Sequence, residues 1–158
     1  MAGKKKILFV CVGNSCRSQM AEGFAKAYGR DTVEVKSAGT CASGIVHRGA
    51  IEAMAEKGID ISAQTSIQLT DDMIEWAEIV VTTGCCSADE LYLNVGQGFS
   101  PAVKDADLKV CPTGHKAEKY DWPIGDPLGR PWEVMQSVRD DIEERVKNLL
   151  EDIKSGRT

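Results

Sequence analysis

The chain has 158 residues, of which 42% are hydrophobic and 27% are charged, a composition typical of a core-forming domain that excludes a disordered or collagen-like chain. No apolar run reaches the roughly 18–20 residues that a membrane span needs. The net charge of −5 gives no indication of a nucleic-acid partner or of an anionic membrane, although a local group of backbone N–H donors can still bind a small anion.

Strands and helices are predicted to alternate along the chain. The predicted elements, in chain order, are strand 7–10, helix 18–28, strand 32–38, helix 47–57, helix 71–76, strand 79–82, strand 119–122 and helix 132–153. Such alternation predicts a parallel α/β sheet. Residues 87–110 fit no regular element, and we expect them to form an irregular insertion.

The strongest functional signal is the segment that joins the first strand to the first helix. It reads Cys11, Val12, Gly13, Asn14, Ser15, Cys16, Arg17 and Ser18. Ligands of parallel sheets bind at the carboxyl ends of strands, and a helix directs its first N–H groups at such a ligand. Gly13 and Asn14 allow the unusual backbone angles of a loop that wraps an anion, and Arg17 offers a charged fork. We therefore predict that residues 12–17 bind a tetrahedral oxyanion.

Cys11 is the candidate nucleophile at the base of this loop. The positive field of the loop should favour its thiolate, which is the reactive form, and the Ser18 hydroxyl could donate a hydrogen bond to the sulfur. The alternative is an inert buried cysteine at a strand end, beside a surface arginine.

From Cys11 to Gly23 the sequence reads C-x-G-N-S-C-R-S-Q-M-A-E-G and resembles the thioredoxin-coupled arsenate reductases, which have the low-molecular-weight protein tyrosine phosphatase fold. The resemblance continues through the segments 37–40, 58–62, 77–85, 111–112 and 122–129, and through the C-terminal helix. It covers nearly the whole chain except about residues 87–110.

Asp126 corresponds to the general acid that phosphatases of this fold carry in a late Asp-Pro loop. An acid is needed because the leaving oxygen departs poorly unless it is protonated. Asp121 and Asp105 are weaker candidates, and Asp126 could instead only initiate a proline turn. Leu128 follows Pro127 where the tyrosine phosphatases usually have tyrosine, which favours a reductase.

The resemblance implies a relay of three thiols. Cys11 attacks arsenate, a second thiol attacks the Cys11 sulfur, and a third takes over the disulfide and presents it to thioredoxin. Cys85 is expected to be the second thiol, with Cys86 as the alternative, and Cys111 the third. The family usually separates the last two by a few residues, whereas 25 residues lie between Cys85 and Cys111 here.

The other thiols and polar residues have weaker interpretations. Cys16 is expected to shape the anion loop, Cys41 to be an ordinary loop thiol, and His47 to cap the second helix. A zinc site of Cys85, Cys86, Cys111 and His115 is an alternative, but its spacing is unlike a zinc knuckle. Some reductases of this family bind potassium through residues corresponding to Asn14, Glu22 and Ser37, and the acidic residue expected near them is Ile67 here.

The sequence thus predicts a single domain over residues 1–158, with a four-stranded parallel sheet in the order 2-1-3-4 and helices on both faces. The predicted activity is arsenate reduction in the cytoplasm, with an external thiol reductant, no bound cofactor and no metal. Thioredoxin is the expected reductant, and no nucleic-acid or membrane partner is expected. The alternatives are a tyrosine phosphatase of the same fold and a non-catalytic oxyanion or redox sensor.

Overall fold

A computed structural model describes residues 3–84 and 117–156 of the chain. The elements in these two ranges are β1 (Lys5–Cys11), α1 (Arg17–Tyr28), β2 (Val33–Gly39), α2 (Arg48–Ala55), α3 (Asp71–Trp76), β3 (Ile79–Thr82), β4 (Glu118–Asp121) and α4 (Trp132–Lys154). Each boundary lies within about two residues of its predicted position. The predicted insertion at 87–110 and the thiols Cys85, Cys86 and Cys111 lie outside the described residues.

The four strands form one parallel sheet in the order β2-β1-β3-β4, which confirms the predicted topology. Successive strand residues point to opposite faces, so β1 contributes to two cores. Ile7 and Phe9 pack in the larger core with α1, α2 and α4, whereas Leu8 and Val10 pack in a smaller one with α3. Both faces of the sheet are therefore covered by helices.

The two long helices bury more than an apolar stripe. Met135 and Arg139 of α4 are buried along with its apolar Ile142 and Val146. The burial of Arg139 is tolerated because its guanidinium donates to the Ala53 carbonyl at 3.0 Å. In α1 the Tyr28 ring stacks on Phe24, with the ring centroids 5.8 Å apart, although the residue stays 39% exposed. Its hydroxyl donates to a carboxylate of α4 instead of entering the core.

Polar side chains cap the two short helices, and the first of these caps was predicted for His47. His47 Nδ1 accepts the Gly49 N–H at 3.0 Å at the start of α2. Thr70 Oγ1 accepts the Met73 N–H at 3.4 Å at the start of α3. These bonds satisfy N–H groups that have no partner within the helix.

The carboxyl ends of the strands lie at one edge of the sheet. There β1 leads into residues 12–16, β3 into residues 83–84, and β4 into the loop 122–131. This edge brings the predicted functional segments together. Among the described helices, none is both long and apolar enough to cross a membrane.

Candidate active site

The loop 12–16, which we call the anion loop, is held from its outer side. The segment 40–47 donates three backbone bonds of 2.8–2.9 Å to carbonyls of this loop and one of 3.0 Å to the end of β1. The donors and acceptors are Cys41 to Val12, Ser43 to Gly13, His47 to Ser15, and Thr40 to Cys11. Within the described part of the chain, the N–H groups of Gly13, Ser15 and Cys16 have no acceptor. With its carbonyls engaged outside, the loop offers N–H donors to an oxyanion.

Asn14 fixes the shape of the anion loop. It is fully buried and has a φ of 48°, a left-handed conformation that asparagine tolerates better than most residues. Its side-chain Oδ1 accepts the Ile67 N–H at 2.7 Å, so Nδ2 must face the Ser18 and Ser37 hydroxyls, at 2.8 and 3.0 Å. Gly39 leaves room for the turn, because a Cβ there would lie 2.4 Å from the Val12 carbonyl oxygen.

The sulfur of Cys11 lies among hydrogen-bond donors. It accepts the Asn14 backbone N–H at 3.1 Å and lies 2.8 Å from Ser18 Oγ. Since Ser18 Oγ accepts from the Asn14 amide, its own hydrogen can be donated to the sulfur whenever Cys11 is a thiolate. The Cys11 residue is only 3% exposed, so these bonds act with little competition from water. The structure thus gives Cys11, the candidate nucleophile, two hydrogen-bonding neighbours at its sulfur.

Arg17 joins the anion loop to two other strand ends. Its Nη1 donates to the Thr83 carbonyl at 2.8 Å and to the Ile124 carbonyl at 2.9 Å. Both bonds use one nitrogen, so Nε and Nη2 keep their hydrogens for a ligand as far as the described residues go. A guanidinium oriented in this way can bind two oxygens of an oxyanion.

Asp126 lies on the loop that Arg17 contacts through Ile124. Its residue is exposed, and Oδ1 accepts the Leu128 N–H at 3.0 Å, so it does initiate the predicted proline turn. The Asp126 charge also acts on the anion loop, where it helps to raise the pKa of Cys16. Asp121 is a poorer acid candidate because it accepts the Thr82 hydroxyl at 2.6 Å, and Asp105 lies outside the described residues.

Cys16 is a neutral neighbour of Cys11, the candidate nucleophile. Burial raises the pKa of its thiol to about 12, with the charges of Cys11 and Asp126 acting in the same direction and that of Arg17 opposing them. Its sulfur lies 3.6 Å from the Met135 sulfur of α4. Cys16 thus packs the loop against α4, in line with its predicted shaping role. Cys41 is exposed on the outer segment.

The residues that correspond to a potassium site do not fit a cation here. The Asn14 amide nitrogen, not its oxygen, faces Ser37, whose hydroxyl donates to Glu22 Oε1 at 2.6 Å. Glu22 Oε2 is paired with the Lys26 ammonium at 2.6 Å. The Glu22 carboxylate is therefore already neutralised, because the Lys26 ammonium supplies the positive charge that a potassium ion would supply at this position.

The structure therefore brings Cys11, Arg17 and Ser18 together, with Asp126 on the adjoining loop. It does not describe Cys85, Cys86, Cys111 or His115, so the relay and zinc interpretations stay predictions.

Sequence reasoning missed Gln19, whose Nε2 donates to the Asn14 carbonyl at 2.9 Å. The one available signal was a glutamine on the buried side of α1.

It also missed the two carbonyls that bind Arg17. Backbone acceptors of this kind carry no residue-type signal.

The chain matches the family model described as low molecular weight phosphotyrosine protein phosphatase over residues 6–158. It is 40% identical over 152 residues to an arsenate reductase of Brevibacillus brevis, covering 96% of this chain and 98% of that one. A solved structure described as an arsenate reductase in the phosphate binding state matches with a TM-score of 0.68 at 38% identity, covering 94% of this chain and 98% of that one.

Two further solved structures represent different activities. The YwlE arginine phosphatase from Geobacillus stearothermophilus has a TM-score of 0.74 at 29% identity, covering 97% of this chain and 95% of that one. A Corynebacterium glutamicum thioredoxin-dependent arsenate reductase has a TM-score of 0.73 at 27% identity, covering 98% of this chain and 64% of that one.

Proposed function

Since the chain belongs to the low molecular weight phosphotyrosine protein phosphatase family, we propose that it is the arsenate reductase type of this family, reducing arsenate to arsenite. The observation that carries the proposal is the Cys11 sulfur, which lies 2.8 Å from the Ser18 hydroxyl and 3.1 Å from the Asn14 N–H at the base of an N–H-lined loop. About 40% identity to a full-length arsenate reductase supports the choice of substrate.

In the first step the Cys11 thiolate attacks arsenic. A sulfur–arsenic bond forms, an arsenic–oxygen bond breaks, and Asp126 donates the proton with which the oxygen leaves as water. The anion-loop N–H groups and the free guanidinium nitrogens of Arg17 hold the remaining oxygens. Such fixed donors stabilise the charge of the transition state without reorganising.

In the second step a further thiol attacks the Cys11 sulfur. A disulfide forms, the sulfur–arsenic bond breaks, and its electron pair stays on arsenic, which becomes arsenite. We propose Cys85 for this role and Cys111 for the transfer of the disulfide. Thioredoxin would then restore the thiols and supply the two electrons, as the name of the Corynebacterium glutamicum relative suggests.

A phosphatase is the second candidate, favoured by the match to an arginine phosphatase with a TM-score of 0.74. It would share the first step with phosphorus in place of arsenic, and water would then release the product from Cys11. Two observations count against a phosphatase. The half-buried Leu128, rather than an aromatic residue, follows Pro127 in the loop that carries Asp126, and hydrolysis does not need the additional cysteines.

Two assays separate these functions. One follows NADPH oxidation with arsenate, thioredoxin and thioredoxin reductase, and the other follows hydrolysis of p-nitrophenyl phosphate. We expect arsenate-dependent NADPH oxidation that greatly exceeds phosphate release. Fast hydrolysis without arsenate-dependent oxidation would reverse the order of the candidates, and Cys41→Ser serves as the thiol control because Cys41 is exposed outside the loop.

The relay can be tested by mass spectrometry of the protein after one arsenate turnover. Before reductant is added, a disulfide joining Cys85 to Cys111 is expected in the wild type, and one joining Cys11 to Cys85 in Cys111→Ser, where the transfer cannot occur. Cys85→Ser should abolish repeated turnover while any phosphatase activity remains. Normal reduction by Cys85→Ser together with inactivity of Cys86→Ser would transfer the role to Cys86.

A further inference from the structure

Gly84 lies where β3 leaves the sheet and directly precedes Cys85 in the sequence. Its φ is +94°, in the region that favours glycine. A Cβ at this position would lie 2.2 Å from the Ile124 carbonyl oxygen and 2.9 Å from Arg17 Nη1. The first of these distances is far shorter than atoms tolerate, so the position excludes a side chain for two separate reasons.

The two atoms that approach Gly84, Arg17 Nη1 and the Ile124 carbonyl oxygen, are hydrogen-bonded to each other. Arg17 Nη1 donates to the Ile124 carbonyl and also to the Thr83 carbonyl, the residue before Gly84. Thr83 is itself fixed, since its backbone N–H and its hydroxyl both donate to the Val10 carbonyl at 2.9 Å. Gly84 therefore packs on a junction of three elements, which are β3, the Asp126 loop and the oxyanion-binding arginine.

We infer that Gly84 is a positioning residue for oxyanion binding and proton donation. Because it has no side chain, the Ile124 carbonyl can approach closely enough to share Arg17 Nη1 with Thr83. This contact orients the guanidinium and fixes the loop that carries Asp126. The inference rests on the proposed oxyanion chemistry and extends it to a residue that touches no substrate.

Sharing one donor nitrogen also links the two halves of the site. An oxyanion that binds to Nε and Nη2 restrains the guanidinium, and the restrained Nη1 holds Thr83 and Ile124 more firmly. By reciprocity, anything that displaces Ile124 must weaken oxyanion binding. Gly84, which directly precedes Cys85, and the loop that carries Asp126 thus respond to the same ligand.

The test compares Gly84→Ala with Gly58→Ala. Gly58 has a similar φ of +75°, but a Cβ there would meet nothing within 4 Å, so its variant reproduces the backbone strain without the contacts. Binding of inorganic phosphate and of arsenate is measured by calorimetry, and the KM and kcat of the oxyanion reaction are measured alongside.

For Gly84→Ala we expect phosphate affinity to fall by about tenfold or more, the loss expected when a charge-assisted hydrogen bond is broken. KM should rise and kcat fall, whereas Gly58→Ala should keep the wild-type values. Equal affinities in wild type and Gly84→Ala would overturn the inference. If the wild-type protein bound neither oxyanion, the proposed function itself would fail, which is a different result.

Hydrogen exchange of the wild-type protein gives a readout that does not depend on a variant that folds. Added phosphate should increase protection in peptides covering 83–84 and 122–125 more than in those covering 58–64. Equal changes in the two sets, or no change in the first, would contradict the linkage.

Discussion

The anion loop and the acid loop, residues 123–131, serve the same site but are held in opposite ways. The anion loop is tied to the segment 40–47 by three backbone bonds, with a fourth at the end of β1, and its central Asn14 is fully buried. The acid loop carries an exposed Asp126, and its tie to the anion-binding residues is the bond from Arg17 to the Ile124 carbonyl.

This difference corresponds to two chemical tasks. A group that stabilises developing charge works best when it is fixed in advance, because no energy is then spent on its reorganisation. A proton donor must instead reach a leaving oxygen whose position depends on the substrate, and it has to exchange protons with solvent afterwards. The buried loop suits the first task and the exposed loop the second.

Cys11→Ser should have the largest effect, because it removes the nucleophile while leaving the donors of the anion loop in place. Arsenate reduction and phosphate-ester hydrolysis should both fall by more than about 10³-fold. Calorimetry should still show phosphate binding, since the N–H groups and Arg17 are unchanged. Loss of binding as well would mean that the loop does not keep its shape without the sulfur.

Asp126→Asn should slow the first chemical step by about 10²-fold or more, the usual contribution of a positioned acid. The free energy of unfolding should change by less than about 0.5 kcal/mol, because the side chain is exposed. Single-turnover kinetics and urea unfolding measure the two quantities. A large loss of stability would show that the acid loop is as firmly held as the anion loop.

Asn14→Ala differs from Asp126→Asn because it should reduce stability as well as activity, since the Asn14 amide also donates to the Ser18 hydroxyl beside Cys11. It leaves the partly buried Ile67 N–H without its acceptor and places alanine at a φ of 48°, so we expect a loss of about 1–3 kcal/mol. Urea unfolding provides the measurement. Asn148→Ala on the exposed side of α4 is the matched control, and equal losses in the two variants would argue against a special role for Asn14.

Cys16→Ala should have the smallest effect near neutral pH and a visible one in alkali. The raised pKa of Cys16 means that the folded protein keeps this proton between about pH 9 and 12 while the unfolded chain loses it. Stability of the wild type should therefore fall as pH rises through that window. Urea unfolding at pH 8 and pH 10 should show a smaller fall for Cys16→Ala, and equal falls would contradict the assigned pKa.

Much of the fold and part of the site could be predicted from local patterns. Continuous apolar runs identified β1 and β3, Thr70 marked the start of α3, and Gly29 marked the end of α1. Helical periodicity also places Tyr28 beside Phe24, where their rings stack, but no local pattern shows that its hydroxyl donates to Glu143 on a helix far along the chain.

The sequence by itself determined the order of the elements and predicted the oxyanion loop and its candidate nucleophile, because these depend on residue types at short spacing. Only the tertiary structure decided what holds that loop and what orients Arg17. The partners are backbone groups of residues 40–47, Thr83 and Ile124. Every residue type presents such groups, so their role arises from which segments the fold brings within hydrogen-bonding distance.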